Sequence, residues 1–134
     1  MATFNKFESF VGSLGTEGQQ LNTDTINIYL TNAAPSASAD NVKADLAEIT
    51  NENGYTGPVD TANAYSEASG TGSLTGTDVV ITASGGTVGP FRYPVLHNST
   101  NDQLIGWWDY GSSITLQDGE SFTVDFGATI ATIT

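Results

Sequence analysis

The stretch Gly85-Gly86-Thr87-Val88-Gly89-Pro90-Phe91-Arg92-Tyr93-Pro94-Val95-Leu96, followed by Leu104-Ile105-Gly106-Trp107-Trp108-Asp109-Tyr110-Gly111, decides the fold. Glycine and proline interrupt the chain, and aromatic and β-branched residues fill the runs between them, as is typical of strands joined by turns. The sequence predicts strands over 78–83, 90–97, 103–110, 113–116, 120–126 and 128–133. Their close spacing indicates a mostly β, single-domain β-sandwich or jelly-roll-like barrel over residues 1–134.

Composition excludes several classes of function. The 134-residue chain has no cysteine, which excludes disulfides, thiolate catalysis and thiolate zinc sites. Three basic residues, Lys6, Lys43 and Arg92, stand against fifteen acidic ones, and the formal net charge of −12 repels the phosphates of nucleic acids and membrane surfaces. No apolar run approaches the length of a spanning helix, and no secretory leader pattern is present. We expect a soluble, unsecreted protein that binds neither nucleic acid nor membrane.

The first residues predict a short amphipathic helix within 1–15. Four positions, Phe4, Phe7, Phe10 or Val11, and Leu14, recur at three- and four-residue intervals, so they form one aromatic stripe on a helix. Terminal helices stay ordered when they are docked, and we expect this stripe to pack on the sheet of its own domain. Packing on a neighbouring subunit is the alternative.

The next segments predict one strand, one helical stretch and one loop. Residues 24–32 alternate apolar and polar side chains, as a half-buried strand does. Val42, Leu46 and Ile49 are spaced to line one or two helical turns. Residues 51–76 are rich in Gly, Thr, Ser and Asn, which predicts a long polar loop of the kind that is functional or mobile.

Six motifs follow one another along nearly the whole chain. They are Lys6-Phe7-Glu8-Ser9-Phe10-Val11, Asp24-Thr25-Ile26-Asn27-Ile28-Tyr29-Leu30-Thr31-Asn32-Ala33-Ala34-Pro35, Asn53-Gly54-Tyr55-Thr56, GPFRY at 89–93, LIGWWDYG at 104–111 and Gly119-Glu120-Ser121-Phe122-Thr123-Val124-Asp125-Phe126. This order resembles a family of small structural proteins of tailed bacteriophages, and GPFRY followed by LIGWWDYG is the specific part. The resemblance implies a virion protein made in the host cytoplasm.

The two adjacent tryptophans are candidates for the core and for a partner surface. Side chains of neighbouring strand residues point to opposite faces, so one ring is expected inside and the other outside. Alternation with Ile105 assigns Trp107 to the core and Trp108 to the surface, beside Tyr110. Outward rings in this position suit a subunit interface, and a sugar-stacking platform of a carbohydrate-binding module is the alternative.

Polar residues that could carry chemistry have plainer structural interpretations. His97 is the only histidine and is expected to bond locally at a strand end. Arg92 is expected to form an ion pair or to stack on an aromatic ring, within the domain or at a subunit boundary. Asp109 and Asp125 could serve as paired carboxylates of a glycosidase only if their strands bring them together. Turn residues such as Asp118 and Glu120 allow a weak Ca²⁺ site, but no calcium-loop signature is present, and solvated turn acids are the default.

The sequence thus predicts a non-enzymatic protein without catalytic residues, metal or cofactor. With the resemblance, it indicates a capsid decoration or cement protein that binds the outside of the major capsid shell and copies of itself, in an oligomer such as a trimer. A tail, head-tail or head-fibre component is the alternative within the virion. The candidate partner interface consists of Phe4, Phe7, Phe10, Tyr55, Arg92, Trp108 and Tyr110.

Overall fold

A computed structural model describes residues 2–16 and 18–134 of the chain. The elements in this part are β1 (Phe4–Lys6), α1 (Glu8–Thr16), β2 (Ile26–Thr31), the 3-10 helix η1 (Lys43–Asp45), β3 (Val59–Asp60), β4 (Ala64–Ala68), β5 (Thr71–Thr75), β6 (Val79–Thr82), β7 (Val88–Phe91), β8 (Tyr93–Asn98), β9 (Gln103–Trp108), β10 (Ile114–Leu116), β11 (Ser121–Val124) and β12 (Ala131–Ile133). The predicted mostly β, sandwich-like fold with one short helix near its start is confirmed. No helix in the described residues has the length and apolar character needed to cross a membrane.

The strands form one large sheet and three small ones, and all their pairings are antiparallel. The five-stranded sheet has the order β1-β9-β8-β2-β3, and a three-stranded sheet has the order β12-β5-β4. Two further pairs are β11-β6 and β10-β7. The main core lies between the large sheet and the small ones, with Ile28, Leu96 and Trp108 from the first and Leu74 and Val124 from the others.

A second apolar cluster covers the opposite face of the five-stranded sheet. It contains Phe7, Tyr29, Leu46, Val95 and Leu104. Lys43 and Leu46 lie over this face at Tyr29 and cover β2, every residue of which is buried. The strand predicted at 24–32 is therefore confirmed, but its half-buried character is wrong, because both of its faces are covered.

The GPFRY strand is two strands, not the single one predicted. β7 pairs with β10, whereas β8 pairs with β2 and β9, so the chain changes sheets at Arg92. β8 pairs with β9, for example at Val95 and Trp107, so the second part of the strand predicted at 90–97 lies beside the strand predicted at 103–110.

Three predictions of local structure need correction. The helix assigned to 1–15 begins only at Glu8, because Phe4–Lys6 pairs with β9 as a sheet strand. The helical stretch around Val42, Leu46 and Ile49 reduces to the 3-10 turn Lys43–Asp45. The segment 51–76 is not one long loop, since β4 and β5 pair as a hairpin within it. Its turn is formed by Ser69 and Gly70, which both have positive φ angles.

Candidate interaction surface

Four of the seven residues predicted for a partner interface are buried in the chain's own core. Phe7, Phe10, Tyr55 and Trp108 are each at most 5 % exposed. Their large apolar surfaces are covered mainly by the domain itself, so they offer a partner little contact area. The expectation that the N-terminal stripe docks on its own sheet holds for Phe7 and Phe10.

The assignment of the two tryptophans to the faces of β9 is reversed in the structure. Trp108 is 4 % exposed and belongs to the main core, whereas Trp107 is half-buried and packs on the second cluster. A bulge causes the reversal, because His97 pairs with Leu104 while Leu96 pairs with Gly106, which leaves Ile105 as an extra residue. An extra residue shifts the alternation of side chains by one position. Trp107 therefore lies on the face opposite to Ile105 despite the even spacing.

The proposed sugar platform of Trp108 and Tyr110 is absent from the surface. Trp108 is inside, and Tyr110 packs edge-on against Phe122 with ring centroids 4.9 Å apart. Phe122 in turn contacts Phe91 at 4.9 Å. Burial raises the pKa of the Tyr110 hydroxyl. These rings close one end of the core and leave no pair of stacked faces for a sugar ring.

Arg92 fixes the corner at which the chain passes from β7 to β8. Its Nε donates to Asp109 Oδ1 at 2.7 Å and its terminal nitrogen to Oδ2 at 3.1 Å, which is a bidentate pair. The guanidinium also lies 5.2 Å from the ring centre of Tyr93. Both structural roles expected for Arg92 are thus confirmed. The guanidinium, with help from the Gly111 amide, lowers the pKa of the Asp109 carboxyl.

Tyr55 packs in the main core, and its hydroxyl belongs to a polar network with Glu48 and Lys43. Its hydroxyl donates to Glu48 Oε2 at 2.6 Å and accepts the Leu30 backbone N–H at 3.0 Å. Glu48 Oε1 accepts a hydrogen bond from Lys43 Nζ at 2.9 Å. Burial, reinforced by the Glu48 carboxylate, raises the pKa of Tyr55. The network ties the segment after η1 to strand β2.

His97 bonds locally, as the sequence predicts. Nε2 lies 2.8 Å from Asp102 Oδ1, and Nδ1 lies 3.4 Å from Asn27 Oδ1. Burial lowers the pKa of the imidazole, although the Asp102 carboxylate opposes the shift. Asp102 also accepts the backbone N–H of Lys43, so the side chain joins two segments.

The remaining acidic candidates make local structural contacts. Asp125 accepts the Gly127 N–H, Asp118 accepts the Gly85 N–H, and Glu120 accepts the Gln117 N–H. The Asp125 and Glu120 bonds lie within single turns, whereas the Asp118 bond joins two turns that are 33 residues apart. Among the residues that the structure describes, no group of three or more acidic or histidine side chains is placed to hold a metal ion.

An apolar groove lies where α1 meets strands β1 and β12. It has a volume of about 360 Å³ and is lined by Phe4, Lys6, Phe10, Val11, Leu14 and residues 131–134. Val11 is 54 % exposed, which is unusual for a large apolar side chain. Two predicted interface residues, Phe4 and Phe10, therefore meet in this groove, with Phe4 half-buried and Phe10 at its base.

The groove brings together elements that are distant in sequence. β1 and β12 are separated by more than a hundred residues, and no local pattern indicates that they lie side by side. The contributions of Lys6, Ile133 and Thr134 were therefore not predicted. Val11 and Leu14 were accessible to sequence reasoning, because both fit the helical spacing of the aromatic stripe.

Lys6 gives the groove a positive charge in a strongly acidic protein. Lys43 pairs with Glu48 and Arg92 pairs with Asp109. Among residues 2–16 and 18–134, no carboxylate lies within ion-pair distance of Lys6. The described acidic side chains also do not line the groove. The described lining is thus mainly apolar with one basic side chain, Lys6, whereas the chain as a whole carries a charge of −12.

Comparison with known proteins gave no similarity that bears on this site: no family model matches the chain, and no curated protein or solved structure matches it.

Proposed function

We propose that this protein is a structural component of a tailed-phage virion, specifically a capsid decoration protein that binds the outside of the major capsid shell. The observation that carries the proposal is the exposed apolar groove formed by α1, β1 and β12. Exposed apolar surface of this kind marks interaction sites in soluble proteins. The resemblance of GPFRY and LIGWWDYG to phage structural proteins supplies the biological setting.

The polar residues that could have carried chemistry are engaged in structural hydrogen bonds, which favours a binding role for the protein. Arg92, Asp109 and His97 hold strands and turns together through direct hydrogen bonds. A domain with an accessible apolar groove suits a protein whose work is to add contact area between neighbouring shell subunits. The proposed partners are the major capsid protein and further copies of this chain, in an oligomer such as a trimer.

The acidic exterior fits this placement. A net charge of −12 keeps free copies soluble and opposes unspecific association. An apolar groove with one basic side chain, Lys6, would then direct binding to one surface of the domain. The carbohydrate-binding alternative loses its support, because Trp108 is buried.

A pair of exposed valines allows a matched test of the proposal. Val11 lies in the groove, and Val80 is 60 % exposed on β6, outside it. Val11→Glu and Val80→Glu should both fold, since neither side chain is buried. We expect Val11→Glu to reduce the number of copies bound per shell assembled from the major capsid protein at least several-fold, and Val80→Glu to leave it unchanged. Equal occupancy by both variants would contradict the proposal, and labelled cryo-EM density on the tail would place the protein elsewhere in the virion.

A further inference from the structure

The two main sheets are joined at one side and open at the other. β3 ends the five-stranded sheet and is followed after three residues by β4, which ends the three-stranded sheet. Thr61 lies in this connection, where its N–H donates to the Ile26 carbonyl of β2 and its carbonyl accepts the N–H of Thr77, which lies between β5 and β6. On the opposite side, β1 and β12 are the end strands, and both line the groove.

Each of these end strands pairs on one side only within the described residues. β1 pairs with β9 and β12 pairs with β5. An unpaired strand edge presents backbone N–H and C=O groups that can accept another strand. Each edge is three residues long, which corresponds to about 10 Å of extended chain.

The groove beside these edges has the shape and chemistry for the side chains of an added strand. Phe4, Val11 and Ile133 supply an apolar lining, and α1 closes one wall. Side chains of an extended segment alternate between two faces, so apolar residues at every second position would enter the groove. Lys6 at the end of β1 would attract a carboxylate on the same segment.

From these features we propose that an extended segment of a different protein, with alternating apolar residues and a carboxylate, adds as a strand to the β1 edge within the groove. This inference rests on the proposed function, since it names the form in which the partner binds. Strand addition gains affinity from main-chain hydrogen bonds and specificity from the alternate side chains that enter pockets.

A second copy of this chain fits the groove less well than a different protein. Every strand of the described residues is already paired with at least one other, so a copy could offer only the free side of a strand that already belongs to a sheet. Two copies would each carry a charge of −12, which opposes their approach. An extended apolar segment with one carboxylate can reach Lys6 without placing a second domain of charge −12 against this one.

Short amidated peptides provide a direct probe of this site. In the test peptide Val alternates with Thr and one Val is replaced by Glu, so that the carboxylate lies on the groove side of the added strand, where Lys6 also lies. One control peptide has the same composition in scrambled order, and another has Lys in place of Glu. Binding is followed by amide NMR shifts and by hydrogen exchange of the wild-type protein and of the Lys6→Ala, Val11→Glu and Val80→Glu variants.

We expect the test peptide to slow amide exchange in β1 and to bind more tightly than both control peptides. Lys6→Ala should weaken binding on the order of threefold, as the loss of one exposed ion pair does. Val11→Glu should abolish binding, and Val80→Glu should leave it unchanged. Equal binding of the scrambled peptide, or no protection of β1, would overturn the proposal.

Two further outcomes separate this inference from the proposed function. A dimer seen by sedimentation that Val11→Glu dissociates would show that a second copy occupies the groove, and would overturn the inference alone. If shells bind the protein through Val11 but no peptide protects β1, the proposed function stands and strand addition is wrong. If the peptide protects β1 but Val11→Glu binds shells as well as the wild-type protein does, the strand site stands and the proposed function is wrong.

Discussion

Trp107 and Trp108 are adjacent in sequence but belong to different apolar clusters on opposite faces of the five-stranded sheet. Trp108 packs against Phe4 with ring centroids 5.2 Å apart and against Phe126 at 5.7 Å. Trp107 contacts Phe7 at 4.6 Å. The two rings therefore hold β9 from both sides, and Trp108 also fixes the edge strand β1.

The difference in burial predicts unequal effects of the two alanine substitutions. Trp108→Ala should lower the free energy of unfolding by about 3–5 kcal/mol, as deletion of a buried aromatic ring does. Trp107→Ala should cost less, because its ring is only half-buried. Urea titrations followed by far-UV circular dichroism measure both values. A larger loss for Trp107→Ala would contradict the assignment of the faces.

Local pattern predicted the strands around GPFRY and LIGWWDYG but not their faces. Glycine and proline positions and β-branched runs are short-range signals, so the strands themselves were accessible from the sequence. The bulge at Ile105 depends on how β8 and β9 pair, which is a long-range property. Since one extra residue inverts every later side chain, the alternation rule placed Trp108 outside.

Long-range pairing also explains why half of the groove was missed. The position of Phe4 fits the helical spacing of the aromatic stripe. Phe4 belongs to a strand only because it pairs with Trp108, which is a long-range contact. Tyr55 was assigned to a polar loop, whereas its neighbours Glu48 and Leu30 hold it inside. Sequence reasoning identified the aromatic residues but not the elements that cover them.

Removal of the Tyr55 hydroxyl should destabilise the fold. In Tyr55→Phe the backbone N–H of Leu30 and one oxygen of Glu48 lose their partner. An unsatisfied buried polar group costs about 1–3 kcal/mol. Tyr65→Phe is the matched control, because within the described residues the Tyr65 hydroxyl makes no hydrogen bond. Urea midpoints should fall for Tyr55→Phe and stay nearly constant for Tyr65→Phe; equal midpoints would contradict the network.

The Arg92 ion pair predicts a measurable change in the Asp109 carboxyl. Arg92 and the Gly111 amide hold the pKa of Asp109 below its ordinary value of 3.8. In Arg92→Gln this pKa should rise but stay below 3.8, because the Gly111 hydrogen bond remains. A carboxyl with a lowered folded-state pKa stabilises the fold above its unfolded pKa, and this contribution is lost as the pH falls through the folded value. Carbon-13 NMR titration checks the shift, and an unchanged pKa would contradict the pair.

The burial of His97 predicts a loss of stability in mild acid. Its pKa is lowered from 6.5 by burial, against the opposing effect of Asp102. Below pH 6.5 the unfolded chain therefore binds a proton more readily than the folded chain, so the free energy of unfolding falls as the pH falls towards the folded-state pKa. The groups that face the imidazole are Asp102, Asn27, Tyr29, Lys43 and Glu48.

Two variants isolate the His97 contribution from that of the many carboxylates. His97→Gln should remove the part of the stability change that begins just below pH 6.5 and leave the changes caused by carboxyl titration. Asp102→Asn should lower the His97 pKa further, because the carboxylate that favours the charged ring is gone. Proton NMR titration of the single imidazole gives this pKa directly. A His97 pKa at or above 6.5 in the wild-type protein would show that Asp102, not burial, dominates at this site.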